Sequence, residues 1–349
     1  MFAQVHTPES LTPHQLDAYL AQGWFRMGQT IFTTNFIRNQ QQIHSTIWLR
    51  HLLDGYSQDR TGSELFKRNA AFRMGVRLAE LTGEKETLYA KYKETVSFPG
   101  SESLQQMLFG NALAHSIYST YEITLHDGDQ LIACGFFDLG ATGAQGISSF
   151  YDPSYKKYSL GKYLIYLKIQ YCKELGLQYF YPGYFVPGNS HFDYKLTIGR
   201  AALQFFRLST QSWEPIPMFS AGDIPCEVMR QKLLKVHSIL TQANQSSRIL
   251  KYNFFDRYLI PELRDTGLLD FPLLLYFGLD DNATDPILVF DVRDGHYHLL
   301  SCVPAWKPID ANPDTDFYSA YFLMPTAVVQ TSDSAEEVAA LILKQINSD

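Results

Sequence analysis

The residues best suited to chemistry fall between Gly146 and Arg200. Three tyrosines, Tyr151, Tyr181 and Tyr184, stand at or near the ends of two apolar runs. A phenol there can stack on a base or donate a proton. Between them lies Lys156-Lys157-Tyr158-Ser159-Leu160-Gly161-Lys162, just ahead of a helical pattern. A helix N-terminus with lysines beside it suits an anion, because its first amides lack partners and its dipole is positive there. Asp152-Pro153 opens this loop; Pro fixes φ and makes a turn, and the Asp carboxylate can face an amine or a cationic side chain. Tyr194-Lys195 follows the second run, and Lys195 is a cation for an acidic side chain or a phosphate. Lys67 and Arg68, further upstream, join Lys156, Lys157 and Lys162 as candidate phosphate contacts, which carry no sequence information of their own.

The elements that must hold these residues are legible in outline. Thr12-Pro13 predicts the start of a helix over 11–22 that Gly23 ends. Residues 24–36 read as a strand pair or a strand plus loop, and Ile47–Leu52 as a short strand. Helices are expected over 83–94 and 101–110, with Pro99-Gly100 between them. Tyr121–Leu125 and Gln130–Phe137 flank Asp127-Gly128, a hairpin signal. Gly146–Tyr151 is the next strand, Ser159–Leu175 a largely buried helix stopped by Gly176, and Gln178–Val186 another strand. A connector is expected over 213–225, with three Pro and one Gly. Beyond it come a helix over 224–247, strands over 273–301 with a hairpin at Arg293–His296, and a last helix from the Ser334/Glu337 capping box.

The chain has 349 residues, enough for one large or two ordinary domains, and its 46% hydrophobic and 19% charged content is that of a globular protein. The net charge of −7 argues against extensive RNA contact but leaves room for a local basic strip. Four scattered cysteines form no CxxC, which suits a reducing cytoplasm and gives no metal framework. His296 and His298 stand two apart on an expected strand but have no third ligand in sequence, so no metal is expected. No secretory signal is visible, and the Leu268–Leu279 run is broken by Asp270 and Pro272, so no membrane role is expected.

Five pieces of the central stretch resemble the aminoacyl-tRNA–protein transferases in order and spacing. They are Phe150-Tyr151-Asp152-Pro153, Ser159-Leu160-Gly161-x-Tyr163, Lys173–Leu177, Tyr181-x-Gly183-Tyr184 and Tyr194-Lys195. Gly23–Gln29 and Lys67-Arg68-Asn69 are similar to the family as well. The resemblance covers about residues 15–206 and is strongest over 146–200. It implies an α/β (α+β) fold with a GNAT-like acyltransferase core: a three-strand meander, a loop opening a helix, and a further strand. It implies transfer of arginine or leucine from aminoacyl-tRNA to a protein N-terminus, N-degron tagging, with no cofactor and with aminoacyl-tRNA and protein or peptide N-termini as partners.

On this resemblance Tyr151, Tyr181 and Tyr184 are candidate proton donors to the departing ribose oxygen. Asp152, Ser159, Leu160, Gly161, Tyr194 and Lys195 are candidate substrate contacts, and Lys67, Arg68, Lys156, Lys157 and Lys162 candidate tRNA contacts. Two departures stand out. The family's cysteine-rich N-terminal stretch is missing, since no cysteine precedes Cys134, and the loop before the helix has one glycine where GNAT enzymes carry several. The second disfavours the alternative of an acyl-CoA N-acyltransferase. A non-catalytic binder of N-termini is the other alternative, kept open by the acidic net charge and thin basic cluster. Residues 1–212 are expected to form the transferase-like region and 213–349 an α/β accessory domain that matches nothing in the family.

Overall fold

The structure, a computed structural model, describes residues 1–39, 42–96, 100–110, 116–277, 286–306 and 321–346. Pro99 and the end of the Leu268–Leu279 run lie outside them. The chain opens with β1 (Ala3–His6), α1 (Pro13–Ala21), β2 (Phe25–Met27) and β3 (Thr30–Thr34). Next come β4 (Phe36–Asn39), β5 (Gln42–Ser45), β6 (Ile47–Leu52), α2 (Arg60–Arg68), β7 (Arg73–Leu78), α3 (Gly83–Lys93) and α4 (Leu104–Phe109). The central part runs β8 (Thr120–Asp127), β9 (Gln130–Leu139), β10 (Gly143–Tyr151), α5 (Leu160–Glu174), β11 (Tyr179–Phe185), β12 (Leu203–Arg207) and β13 (Ser212–Pro215). The last part holds α6 (Pro225–Gln242), β14 (Arg248–Lys251), β15 (Leu273–Tyr276), β16 (Ile287–Asp291), β17 (His296–Pro304), β18 (Leu323–Ser332) and α7 (Ala335–Ile346).

Among the described residues the large sheet has the order β13-β12-β6-β11-β10-β9-β8-β7. Its heart is the expected GNAT-like arrangement. The β8-β9-β10 meander is followed by α5, and β11 then returns parallel to β10. That parallel pairing lasts only from Gly143↔Tyr179 to Gln145↔Tyr181, after which the two strands part. Both strands carry the cause. β10 skips Ile147 in its register with β9, and β11 shifts register between Phe180 and Gly183. Pro182 has no N–H to give a ladder, and Gly183 sits at φ 89, where a side chain would be strained. The result is a V-shaped opening in the sheet.

Helix α5 covers one face through Leu160, Leu164 and Ile169, which share a core with Ile123, Leu125, Phe137 and Phe180. Helices α3 and α4 form a separate core with Leu131, Phe136 and Phe150. The N-terminal segment is pinned by Arg26, whose side chain is almost fully buried. Its guanidinium donates to Asp138 Oδ1 and Thr120 Oγ1, both at 2.8 Å, and also to the Leu108 carbonyl. The family-like Gly23–Gln29 segment therefore ties β2 to the meander, and Gln29 adds a bond to Leu108 O at 2.6 Å.

A second core joins α6, α7 and the antiparallel sheet β14-β15-β16-β17-β18. Phe2, Phe36 and Ile43 from the start of the chain are embedded in it. The connector expected over 213–225 is not wholly irregular: β13 pairs with β12 from Arg207↔Ser212 to Gln204↔Pro215 and extends the large sheet. Trp213 packs on Tyr181 and Phe206, which gives this short strand a reason to form. The Lys67-Arg68-Asn69 step, left without an element in the sequence reading, closes α2, where Asp59 caps the first turn through Gly62 N at 2.7 Å.

Candidate functional site

The V between β10 and β11 is the floor of a cleft of about 940 Å³. β10 contributes Gly146–Ser149, β11 contributes Phe180, Pro182 and Tyr184, and α5 contributes Gly161, Lys162, Ile165 and Lys168. Tyr89, Tyr92 and Lys93 of α3 and Ile37, Arg38 and Asn39 of β4 complete the walls with His191, Phe192, Tyr194 and Lys195. Two features define its chemistry. Rings and aliphatic chains make up much of the lining, and the charged lining residues are Arg38, Lys93, Lys162, Lys168 and Lys195, with no described Asp or Glu among them. In a chain of net charge −7 this is a local excess of basic residues, of which Lys93 pairs with Glu102 at 2.6 Å.

Lys168 is the least ordinary of these. It occupies a core position of α5 and is 2% exposed, with no described carboxylate within ion-pair distance. Its Nζ donates to Ser148 O at 2.6 Å, to Phe136 O at 2.9 Å and toward Ser149 Oγ at 3.1 Å, bracing the bulge of β10. Gly135 makes the room, since a Cβ there would stand 2.9 Å from Lys168 Cε. Desolvation pushes the ammonium down to about 7. The sequence held a signal for it: Leu160, Leu164 and Lys168 fall on one stripe of the helix, so a charged residue was due in the core.

Lys195 is half-buried in the 190–197 turn and donates to Tyr184 O at 2.7 Å. Its Nζ lies 5.6 Å from the Tyr184 ring centre and 5.4 Å from that of Phe192. Burial pushes it down to about 8. A Cβ at Gly183 would approach this Nζ to 3.2 Å, so the glycine serves both the strand's turn and the lysine's position. Tyr184 stacks on Phe192 at 5.6 Å, and burial raises its phenol.

The sequence-expected residues take different places. Gly161, Lys162, Tyr184, Tyr194 and Lys195 line the cleft. Tyr151 stands just behind it, its ring against Tyr92 at 5.3 Å and within 3.4 Å of a Cβ built on Gly161. Ser159 and Leu160 do not present their side chains to the cleft. Ser159 takes a left-handed φ of 54, its hydroxyl makes no cap bond, and the Leu160 side chain is fully buried. They open α5, whose first-turn residues Gly161 and Lys162 line the cleft.

Tyr181 and Asp152 do not line the cleft. Tyr181 is 2% exposed and packs with Phe25 and Trp213, away from α5. Burial pushes its phenol up to about 12 despite Arg50 beside it. Asp152 is occupied at the turn: Oδ1 accepts from Ser154 N at 2.9 Å, and Oδ2 pairs with Lys91 at 2.7 Å. Burial alone would raise this carboxyl, but the bonds from Lys91 and Ser154 hold it below its ordinary value. Pro at the second position and Asp at the first thus form a turn that its own side chain closes.

The basic candidates gather outside the cleft. Arg68 Nη1 donates to Lys157 O at 3.4 Å and Asn69 Nδ2 to Tyr158 O at 3.2 Å, so the end of α2 is fastened to the loop before α5. Lys67, Arg68, Lys156 and Lys157 are all exposed along this seam. Lys162, at the helix start, lies 3.5 Å from Thr197 Oγ1 and links the seam to the cleft. Missed in the sequence were Arg38, Lys93, Tyr89, Tyr92 and Lys168; apart from Lys168, only the fold brings them to the opening. Asp291, Asp294 and His298 cluster at the β16–β17 turn, with His296 beside them, but Asp291 is held by Arg293 at 2.6 Å and His298 by Asp294 at 2.9 Å.

Known proteins place the chain. The family model described as "Arginine-tRNA-protein transferase, C terminus" matches residues 84–204. A Leptospira interrogans protein named aspartate/glutamate leucyltransferase is 30% identical over 192 residues, 54% of this chain and 73% of its own. A Campylobacter jejuni protein of the same name is 26% identical over 182 residues, 50% of this chain and 74% of its own. Among solved structures, L-PGS from Bacillus licheniformis aligns over 42% of this chain and 48% of its own, with 13% identity and a TM-score of 0.30. An aminoglycoside acetyltransferase from an uncultured soil metagenomic sample aligns over 37% of this chain and 85% of its own, with 18% identity and a TM-score of 0.23. Both scores are low, and the GNAT-like assignment stands on the strand order. With the motifs in register, the split β10/β11 pair beneath the cleft, and a relative matched across most of its length, the chain belongs to the aminoacyl-tRNA–protein transferase family.

Proposed function

We propose that this protein transfers leucine from leucyl-tRNA to the α-amine of proteins whose first residue is aspartate or glutamate, and so marks them for degradation. The observation that carries the choice is the cleft lining, with its apolar rings and no described carboxylate, where Arg38, Lys162 and Lys195 have no described ion pair, while Lys93 pairs with Glu102 at 2.6 Å and burial holds Lys168 down to about 7. A carboxylate side chain on the acceptor is favoured there, and an arginyl group on the donor is opposed. An uncharged leucyl group fits the surface of Tyr89, Tyr92, Ile147 and Ile165. The names of the two relatives point the same way.

The chemistry needs little beyond placement. The ester of aminoacyl-tRNA is already activated, and holding the amine against its carbonyl supplies much of the acceleration. The C–N bond forms as the ester C–O bond breaks. The proton lost by the attacking amine balances the one gained by the ribose oxygen. An α-ammonium near pKa 8 deprotonates at modest cost. Neighbouring cations lower that cost further, because they disfavour a second positive charge. Tyr184, in the lining, is the candidate donor to the leaving oxygen, with Tyr151 behind it. The exposed seam of Lys67, Arg68, Lys156 and Lys157 meets phosphates near the acceptor end of the tRNA.

One assay tests the reading: purified protein, leucyl-tRNA or arginyl-tRNA, and peptides beginning with Asp, Glu, Lys or Arg, with acetyl-CoA as a further donor. Leucine incorporation confined to the acidic peptides is expected. Arginine incorporation, a preference for basic peptides, or acylation from acetyl-CoA alone would overturn it.

A further inference from the structure

Hairpin β4–β5 belongs by sequence to the N-terminal region, yet its anchorage lies in the C-terminal unit. Phe36 is 1% exposed and meets Phe2 at 5.2 Å and Phe255 at 6.0 Å, edge to face. Ile43 is part of the same core. At the far end Ser45 Oγ accepts from Cys226 N at 2.9 Å, at the start of α6. The residues between these anchors, Ile37, Arg38 and Asn39, line the cleft. Arg38 Nη1 donates to Asn253 Oδ1, and Asn253 is itself fixed between Tyr252 and Phe254, both buried. The Asp256 carboxylate is close enough to feel the Arg38 charge, but no described carboxylate lies within ion-pair distance of the guanidinium, and Asn253 is its one described hydrogen-bond partner.

We infer that the C-terminal unit completes the acceptor site. It holds β4–β5 as a wall of the cleft and aims the Arg38 guanidinium at the side-chain carboxylate of the acceptor's first residue. This rests on the acidic-acceptor reading above. A planar guanidinium with one edge already engaged is pre-set to take a carboxylate through the others. An RNA phosphate is the competing anion. Arg38 is exposed as Lys67, Arg68, Lys156 and Lys157 are, but those four lie along the α2–α5 seam and do not line the cleft. An Arg fixed by the accessory unit, on the wall formed by β4, is placed for the peptide.

The test uses the full chain with leucyl-tRNA and two peptides that differ only in a first residue of Glu or Gln. The Glu-over-Gln ratio of kcat/KM should fall roughly ten-fold or more in Arg38→Ala, carried by KM, with part of it kept in Arg38→Lys. Asn253→Ala should lower the ratio in the same direction by a smaller factor. Asn253→Asp should lower it again, because the new carboxylate pairs with the guanidinium and competes with the substrate. A wild-type ratio in Arg38→Ala sinks the proposal while leaving the acidic-acceptor reading intact. If the wild-type enzyme itself shows no Glu preference, that reading fails first. An unchanged ratio in both Asn253 variants removes the accessory unit's part. A weaker tRNA affinity with a shallower salt slope and an unchanged ratio in Arg38→Ala assigns Arg38 to RNA and overturns the inference.

Discussion

Replacing Lys168 with Met removes a titration that the fold currently carries. The ordinary lysine value is 10.5, and burial brings Lys168 to about 7. Between these values the unfolded chain holds a proton that the folded chain does not, so stability rises with pH across that window. Below about pH 7 both states hold the proton and the full cost of burying it is present. Taking the two values at face, the wild-type protein gains about 2.5 kcal/mol from this one group between pH 6 and pH 9. Met has a similar length and no charge. It leaves Phe136 O and Ser148 O without their donor, a loss of about 1–3 kcal/mol for each unsatisfied group. That loss is nearly constant with pH. The assay is urea denaturation of both proteins at pH 6, 7, 8 and 9. The quantity of interest is the wild-type stability minus that of Lys168→Met, because other titrating groups largely cancel in it. It should grow by about 2.5 kcal/mol from pH 6 to pH 9. A difference that stays flat within about 0.5 kcal/mol would falsify the claim that Lys168 sits desolvated beneath the β10 bulge.

Lys195→Ala should reduce kcat/KM for Asp- and Glu-initiated peptides by roughly ten- to a hundred-fold, measured beside tRNA affinity; loss of tRNA affinity alone would move Lys195 to the RNA side. Arg26→Met leaves Asp138 buried and unpaired, so it should destabilise the protein by about 3–5 kcal/mol in denaturant midpoints. A loss under about 1 kcal/mol would show that Asp138 accommodates as the neutral acid. Lys156→Ala combined with Lys157→Ala should weaken tRNA binding and flatten its dependence on salt by about two contacts, without changing which peptides are accepted. An unaltered slope removes these lysines from the RNA interface.

Much of the fold was legible because its signals are local. Thr12-Pro13 starts α1 with a capping box, Asp127-Gly128 turns β8 into β9, and Gly176 ends α5 at φ 74. The register slips that open the cleft were not legible. They show only in how β10 pairs with β9 and β11 with β6, although Pro182-Gly183 was a visible warning. For the site, motif residues inside α5, β11 and the 190–197 turn converge on the cleft, whereas Tyr181 and Asp152 sit in the same motifs and face elsewhere. A motif preserves packing and chemistry alike, and only the direction of the side chain separates them. Arg38 carried no signal, because what makes it part of the cleft is a bond to a residue 215 positions away.

The embedding of Phe2 in the C-terminal core has a consequence for how the chain is made. Phe2 N donates to Asp270 Oδ2 at 2.9 Å, across 268 residues. Phe36 and Ile43 wait for the same core. At about 5–20 residues per second, ribosomal synthesis leaves these side chains without their destination for roughly ten seconds to a minute. Meanwhile β6 can pair with β11 and β12 as soon as those strands emerge, so the large sheet closes before the hairpin β4–β5 that precedes it in the chain is seated. The β4–β5 wall is therefore among the last parts to settle. A chain ending near residue 220 and released from the ribosome should hold the central sheet but present an unfinished cleft. Binding competence would then arrive only with the end of translation, which keeps half-made protein from engaging its substrates.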